Sequence, residues 1–110
     1  MSKPSVVYQD SYTPTFEKQL AAIENKDKIR AKRIREAMNE IRADPYHKID
    51  FGKGQYRGKR KYDAGKDRVL FVVCEQCRKD GHTSINQCSD CHETKDETIV
   101  WAMIVEGHKY

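Results

Sequence analysis

The fold is decided by residues 56–73, whose sequence is YRGKRKYDAGKDRVLFVV. The first half of the stretch alternates in the way that is typical of a β-strand. A strand in this register carries three basic side chains on one face: Arg57, Lys59 and Lys61. Ala64-Gly65-Lys66 is turn sequence, and 69–73 is a continuous apolar run, typical of a central strand buried on both faces. The stretch therefore predicts a hairpin that joins a basic strand to a core strand.

Outward from this hairpin, the remaining elements are predicted from apolar periodicity and capping signals. Residues 99–105 form a second buried strand and 6–8 a short opening strand, while 46–55 are loop with at most one strand residue pair. Thr13 and Pro14 are typical of a helix start. That helix carries Phe16, Leu20 and Ile23, and a second helix over 27–43 carries Ile34, Ala37, Met38 and Ile41, begun by Ile29 or Ala31 and ended by Pro45. The order β-α-α-β-β-β predicts an α+β fold, with a helical hairpin packed on a mostly antiparallel sheet.

The length and the charge of the chain narrow its class. A chain of 110 residues suits a single domain over 1–110. It has no apolar run of membrane-spanning length, and its N-terminus lacks the apolar core of a signal peptide, so we expect a cytoplasmic protein without membrane association. The net charge of +4 conceals a segment, 26–68, with fifteen basic and seven acidic residues. Such a segment indicates a polyanionic partner, RNA or DNA; a solvated helix face plus a lysine-rich loop is the alternative.

All four cysteines fall in one insertion, 74–97, between the last two predicted strands. They form two C-x-x-C pairs, Cys74 with Cys77 and Cys88 with Cys91, separated by ten residues. Pairs at this spacing predict two knuckles whose thiolates converge on one tetrahedral Zn²⁺. Two disulfides or a redox-active pair are the alternatives; the absence of a secretory signal disfavours disulfides, and the absence of a βαβ unit disfavours the redox pair.

A zinc ion with four thiolate ligands has no open position for a catalytic water, so the expected role is structural. His82 and His92 are interpreted as polar loop residues because four cysteines already complete the shell. The stretch 74–98 carries six acidic and three basic residues, which argues against a phosphate-binding finger. A stabilising hairpin or a protein contact fits this composition better.

The hairpin 56–73, the element order and the final apolar strand ending in Gly107-His108-Lys109 together resemble the RelE/ParE toxin superfamily. The resemblance covers 6–73 and 98–110; the cysteine insertion lies outside it, and the tyrosine that the family has near Arg68 is missing. RelE-type members bind in the ribosomal A site and cleave mRNA, whereas ParE-type members act on DNA gyrase. The His108 and Tyr110 pair is similar to the chain end of the YoeB branch.

The resemblance implies a metal-free RNA cleavage in which a 2′-hydroxyl attacks the adjacent phosphate. By position, it implies a catalytic set of Lys59, Lys61, Arg68, His108 and Tyr110. His108 would transfer protons, Tyr110 would stack on a base, and the cations would stabilise the phosphorane. Lys109 stands where the family has an arginine, which loses bidentate phosphate recognition. Asp50 is a weaker candidate for a nearby carboxylate.

The basic segment also predicts an RNA-binding set: Arg33, Arg57, Lys59, Arg60, Lys61, Lys66 and Lys109. Each candidate has a simpler interpretation. Lys59 and Lys61 would then only bind phosphate, Arg68 would form an ion pair on the sheet, and His108 would be solvated. Tyr56 and Tyr62 are interpreted as core-packing aromatics.

Three functions remain open at this point. The first is a ribosome-dependent mRNA endonuclease of toxin type that is stabilised by structural zinc and has the ribosome, RNA and an antitoxin as partners. The second is a non-catalytic protein on the same fold that binds the ribosome or rRNA. The third is a zinc-hairpin protein-interaction module, which would leave the basic segment unexplained.

Overall fold

The computed structural model describes residues 8–46, 50–51, 58–81 and 95–106, with the backbone alone for 50–51. The elements in chain order are β1 (Gln9–Tyr12), α1 (Pro14–Lys26), α2 (Lys28–Ala43), β2 (Asp50–Phe51), β3 (Arg60–Ala64), β4 (Asp67–Val73), α3 (Cys74–Asp80) and β5 (Thr98–Glu106). The strands form one sheet in the order β1-β5-β4-β3-β2. β1 runs parallel to β5, and every other pair is antiparallel. The predicted α+β fold with a mostly antiparallel sheet is confirmed.

The two long helices begin and end at the predicted capping residues. Thr13 Oγ1 accepts a hydrogen bond from Phe16 N at 3.1 Å, and Pro14 occupies the first turn, where its missing N–H costs nothing. Asp27 separates the helices: its backbone N–H donates to Ile23 O at 2.7 Å, and its side chain accepts from Arg30 N at 3.0 Å. One residue therefore ends α1 and begins α2, which produces the tight antiparallel hairpin.

Both helices pack on one face of the sheet. The apolar stripe of α2 begins at Ala31, because Ile29 is 74% exposed. The buried core between helices and sheet includes Phe16, Leu20, Ile23, Ile34, Ile41, Val69, Phe71, Ile99 and Trp101. Each such buried side chain contributes about 1.5–3 kcal/mol relative to exposure, so this layer accounts for most of the packing energy.

The two predicted core strands are β4 and β5, and they are buried on both faces. On β4, Val69 and Phe71 face the helices, whereas Leu70 and Val72 face away and are still only 0% and 4% exposed. A register irregularity at Leu70/Phe71 places Met103 opposite Leu70 and Trp101 opposite Phe71. The continuous apolar runs in the sequence reflect this two-sided burial.

Beyond the end of β1, the outer edge of β5 is hydrogen-bonded by a side chain and not by a strand. Gln19 of α1 donates from its amide nitrogen to Ile104 O at 2.9 Å, and its amide oxygen accepts from Ile104 N at 2.7 Å. The amide group thus makes both hydrogen bonds that a neighbouring strand would make.

Three local predictions differ from the structure. The opening strand is Gln9–Tyr12 and does not include Tyr8, whereas the predicted residues 6–7 lie outside the described residues. The basic strand is Arg60–Ala64 and does not include the predicted residues 58–59, whereas 56–57 lie outside the described residues. Cys74–Asp80, expected as a knuckle, forms helix α3, which ends at Gly81 in the left-handed region at φ 73°. Four helix-compatible polar residues fill this segment, so its local preference favours a helix: Glu75, Gln76, Arg78 and Lys79.

Candidate nucleic-acid interface

The β3–β4 hairpin determines which basic side chains share a surface. Asp63 lies opposite Arg68, and Lys61 lies opposite Leu70. Because alternate residues of a strand face opposite sides, and Val69 faces the helices, Arg68 projects from the other side of the sheet. Lys61 projects from that side too, because its neighbour Tyr62 packs against the helix-side core. We name the surface formed by Lys61, Asp63 and Arg68 the distal face.

On the distal face, Lys61 and Arg68 are diagonal neighbours across the two strands. Their Cα atoms are therefore about 7–8 Å apart, a separation at which two long side chains reach a common phosphate. The Arg68 Nε is 3.4 Å from Asp63 Oδ1, and the two side chains are 29% and 70% exposed. The predicted ion pair of Arg68 is thus present, and Arg68 keeps solvent access. Lys59, half-buried, lies directly before the first residue of β3.

Arg60 does not belong to the distal face. It points to the helix side of β3, where its guanidinium lies over the Tyr46 ring at 4.8 Å from the centroid. Tyr46 in turn donates its hydroxyl proton to Glu75 Oε1 at 2.6 Å. Burial and the Glu75 carboxylate raise the pKa of Tyr46 well above its usual value near 10. The predicted RNA-binding Arg60 is therefore separated by the sheet from Lys61 and Arg68.

The turn between β3 and β4 brings together two further predicted cations, Arg33 and Lys66. Gly65 adopts φ +68°, a conformation that favours glycine. A Cβ built on Gly65 would lie 2.6 Å from Arg33 Cδ and 2.8 Å from Arg33 Nη1, so the Arg33 side chain lies directly across the turn. The exposed Lys66 is the next residue.

A buried ion pair that the sequence analysis missed anchors the same turn. Asp67, 1% exposed, accepts from Arg30 Nε at 2.8 Å and from Arg30 Nη2 at 2.6 Å. These hydrogen bonds raise the pKa of Arg30 above its already high value. The available signal was positional: Asp67 belongs to the same strand face as Val69 and Phe71, and a carboxylate at a core-facing position requires a partner.

The cysteine insertion begins at a helix that is bound to the segment before β5. Cys74 and Cys77 are three apart on α3, which places them on one side of the helix, and both are buried in a small cluster with Val72 and Val100. Glu75 N donates to Asp96 O at 3.1 Å, and Arg78 forms an ion pair with Asp96. Residues 75 and 96 are therefore in contact at the base of the insertion.

Several predicted residues lie outside the described part of the chain. They are Arg57, Cys88, Cys91, His108, Lys109 and Tyr110, together with Tyr56, His82 and His92. Within the described ranges, no three His, Cys, Asp or Glu side chains are grouped so as to hold a metal ion. β5 ends at Glu106, which pairs with Asp67, so the strand that leads to 107–110 finishes beside Arg68. None of the helices in the described ranges combines the length and apolar character that a bilayer crossing requires.

Comparisons with protein-family models and with curated proteins gave no match. Comparison with solved structures found similar folds. A YoeB/ParE toxin from Agrobacterium tumefaciens matches with a TM-score of 0.63 at 10% identity, over 89% of this chain and 96% of the other. A chain of the RelBE2 toxin–antitoxin complex from Mycobacterium tuberculosis matches with a TM-score of 0.58 at 17% identity, over 92% of this chain and 99% of the other. A chain of the YoeB dimer from Staphylococcus aureus matches with a TM-score of 0.60 at 14% identity, over 89% of this chain and 94% of the other. The chain therefore has the fold of the RelE/YoeB-type toxins, as the sequence resemblance indicated.

Proposed function

We propose that this chain is a toxin-type protein that acts on RNA, and more specifically an mRNA endonuclease that works on the ribosome. The observation that carries the proposal is the juxtaposition of Lys61 and Arg68 on the distal face of a fold shared with YoeB- and RelE-type toxins. Two cations on neighbouring strands provide the electrostatic stabilisation that a phosphate needs as it gains charge.

The proposed reaction needs no catalytic metal. The ribose 2′-oxygen attacks the adjacent phosphorus and loses its proton to a base, while the P–O bond to the next nucleotide breaks and that leaving oxygen gains a proton. The products are a 2′,3′-cyclic phosphate and a free 5′-hydroxyl. Lys61 and Arg68 would stabilise the phosphorane, and Lys59 would assist from the start of β3. His108 would carry the proton transfers, and Tyr110 would stack on a base.

A structural zinc ion held by Cys74, Cys77, Cys88 and Cys91 is part of the proposal. Cys74 and Cys77 fit this role, because both thiols lie on one side of α3 and soft thiolates are the preferred ligands of Zn²⁺. The ion would supply folding free energy to the insertion and take no part in the reaction.

The partners follow from the proposed reaction. They are the ribosome, its mRNA and an antitoxin, as in the RelBE2 toxin–antitoxin complex from Mycobacterium tuberculosis. Action on ribosomes places the protein in the cytoplasm. An adjacent short reading frame that encodes a protein binding this chain would support the antitoxin.

The second candidate is a non-catalytic protein that binds the ribosome or rRNA. One observation favours it: the predicted cations are distributed, with Arg33 and Lys66 at the turn, Arg60 on the helix side and Arg68 held by Asp63. A dispersed set of cations suits a protein that binds a large polyanion without cleaving it.

Purified protein added to programmed ribosomes separates the two candidates. The endonuclease predicts cuts in the mRNA at the A-site codon, abolished by Arg68→Ala and by His108→Ala. Arg35→Ala is the matched control, since this arginine is paired with Glu24 on the helix hairpin. Intact mRNA together with salt-sensitive co-sedimentation with ribosomes would reject the endonuclease and favour the binding protein. No cleavage and no co-sedimentation would reject both.

A further inference from the structure

A cleft opens at the end of the molecule where the start of α2 meets the β3–β4 turn. It has a volume of about 570 Å³ and is lined by Asp27, Ile29, Arg30, Arg33, Lys66 and Glu106. We name it the turn cleft. Its volume lies in the range of about 300–1,000 Å³ that is typical of sites for small organic groups.

The carboxylates of the turn cleft are occupied by contacts within the protein. Asp27 caps α2 through its bond with Arg30 N, and Glu106 lies 3.9 Å from Arg30 Nη2. Arg30 itself is held by the buried Asp67. Arg30 therefore already contacts three carboxylates, whose negative charges outnumber its own positive charge, and its guanidinium is committed to those of Asp67 and Glu106.

Arg33 and Lys66 differ from Arg30 in this respect. Within the part of the chain that the structure describes, neither makes an ion pair with a carboxylate, and both are exposed. The contact of the Arg33 side chain with Gly65 holds its guanidinium group at the turn that carries Lys66. Two positive charges are thus presented together at the cleft.

The lining of the cleft matches the chemistry of a nucleotide unit. Arg33 and Lys66 suit phosphate oxygens, and arginine offers a planar fork of donors to them. Ile29, 74% exposed at the cleft, offers an apolar surface on which a sugar or a base can lie. An anionic group joined to an apolar group is a better match here than a purely acidic side chain.

The turn cleft is also close to the distal face along the chain. Lys66 lies two residues before Arg68, and two residues of extended chain span at most about 7 Å. One polyanion that crosses the turn can therefore contact both surfaces.

We propose that the turn cleft is a second RNA backbone site, in which Arg33 and Lys66 bind phosphates next to the segment held by Lys61 and Arg68. This inference rests on the proposed RNA function and adds a binding site outside the distal face. The cleft contributes affinity and position for the strand, and the bond that breaks lies on the distal face.

Binding of a labelled single-stranded RNA oligonucleotide, measured by fluorescence anisotropy over a salt series, tests the site. The double variant Arg33→Ala with Lys66→Ala should bind more weakly. Its plot of log affinity against log salt should be shallower by about 1.4, since each lost phosphate contact on a single strand removes about 0.7. Arg33→Lys with Lys66→Arg should retain most of the slope, and unchanged thermal melting would show that the variants fold.

The control is Arg35→Ala, which removes one positive charge from the same helix at a residue paired with Glu24. If Arg35→Ala leaves the slope of log affinity against log salt unchanged, the result supports the cleft. If it reduces the slope by as much as each substitution of the cleft variant does, only the overall charge matters and the site is overturned. A double variant with the wild-type slope, beside weakened binding by Arg68→Ala, would also overturn it and leave the proposed function standing. If the wild-type protein binds neither the oligonucleotide nor ribosomes, the proposed function and this inference fail together.

Discussion

Arg68 on β4 and Asp63 on β3 lie directly opposite each other, with Arg68 Nε 3.4 Å from Asp63 Oδ1. The cation proposed to stabilise a phosphate is therefore already in contact with a carboxylate of its own sheet. A bound phosphate has to replace that contact or share the guanidinium with it. The Asp63 side chain is 70% exposed, so its release into water is inexpensive.

Asp63→Asn should consequently strengthen RNA binding. An exposed ion pair contributes about 0.2–1 kcal/mol, so its removal should raise the affinity about 1.4- to 5-fold. Glu24→Gln, which disrupts the Arg35–Glu24 pair on the helices, is the matched control and should have a smaller effect. The measurement is RNA affinity at fixed salt; weaker binding by Asp63→Asn would show that Asp63 orients Arg68 productively.

Arg30→Ala should destabilise the protein strongly, because it leaves the carboxylate of Asp67 buried without its partner. Removing one member of a buried ion pair costs about 3–5 kcal/mol. Because the Arg30 side chain is partly exposed, we expect a loss of unfolding free energy near the lower value, about 3 kcal/mol. Urea unfolding provides the measurement, with Arg35→Ala as the control at under about 1 kcal/mol. Equal losses in the two variants would mean that the Asp67 carboxylate finds another hydrogen-bond donor. Replacing Arg30 and Asp67 together by leucine should cost less than Arg30→Ala alone.

The burial of Tyr46 and its hydrogen bond to Glu75 together predict a loss of stability at alkaline pH. The folded pKa of Tyr46 is raised above its unfolded value, so the folded state holds this proton more tightly. The resulting stabilisation is complete below about pH 10, the unfolded pKa, and is lost as the pH rises through the folded pKa. Tyr46→Phe should flatten the decrease in unfolding free energy as the pH rises above about 10.

The control for this pH dependence is Tyr12→Phe, which removes a phenol that is as exposed as Tyr46 but contacts Arg42 at 3.2 Å and not a carboxylate. This variant should keep the alkaline decrease. If the two variants give the same profile, the decrease arises from other groups, and the Tyr46–Glu75 bond contributes nothing to it.

Most of the fold was predictable because its signals are local. The Thr13 cap, the helical stripes and the two apolar runs each report the burial of neighbouring residues in the chain. The helix α3 was missed, and one of its contacts shows why: the first-turn N–H of Glu75 is satisfied by Asp96, 21 residues further along. Gln19 completes the edge of β5 at Ile104 across a separation of 85 residues, and no sequence period reports such a contact.

The candidate site was predictable only where strand alternation applies. Alternation correctly separates Lys61 from Arg60, and the hairpin register then adds Arg68 to the same face as Lys61. The association of Arg60 with Tyr46 depends on how the end of α2 packs on the sheet, which the sequence does not specify. The pairing of Arg30 with Asp67 depends on the same helix–sheet packing.

Removal of zinc should lower the melting temperature of the protein. If the insertion holds one Zn²⁺ through Cys74, Cys77, Cys88 and Cys91, the binding free energy of the metal is also folding free energy. It acts at α3, the helix with which the insertion begins, directly after β4. Elemental analysis should find one zinc per chain, and a chelator should lower the melting temperature of the wild type. Cys74→Ser should bind less zinc, melt at a lower temperature and show a smaller further change with chelator.

One zinc per chain with a melting temperature that the chelator leaves unchanged would show that the insertion folds independently of the core. A protein without zinc and without titratable thiols would instead establish two disulfides.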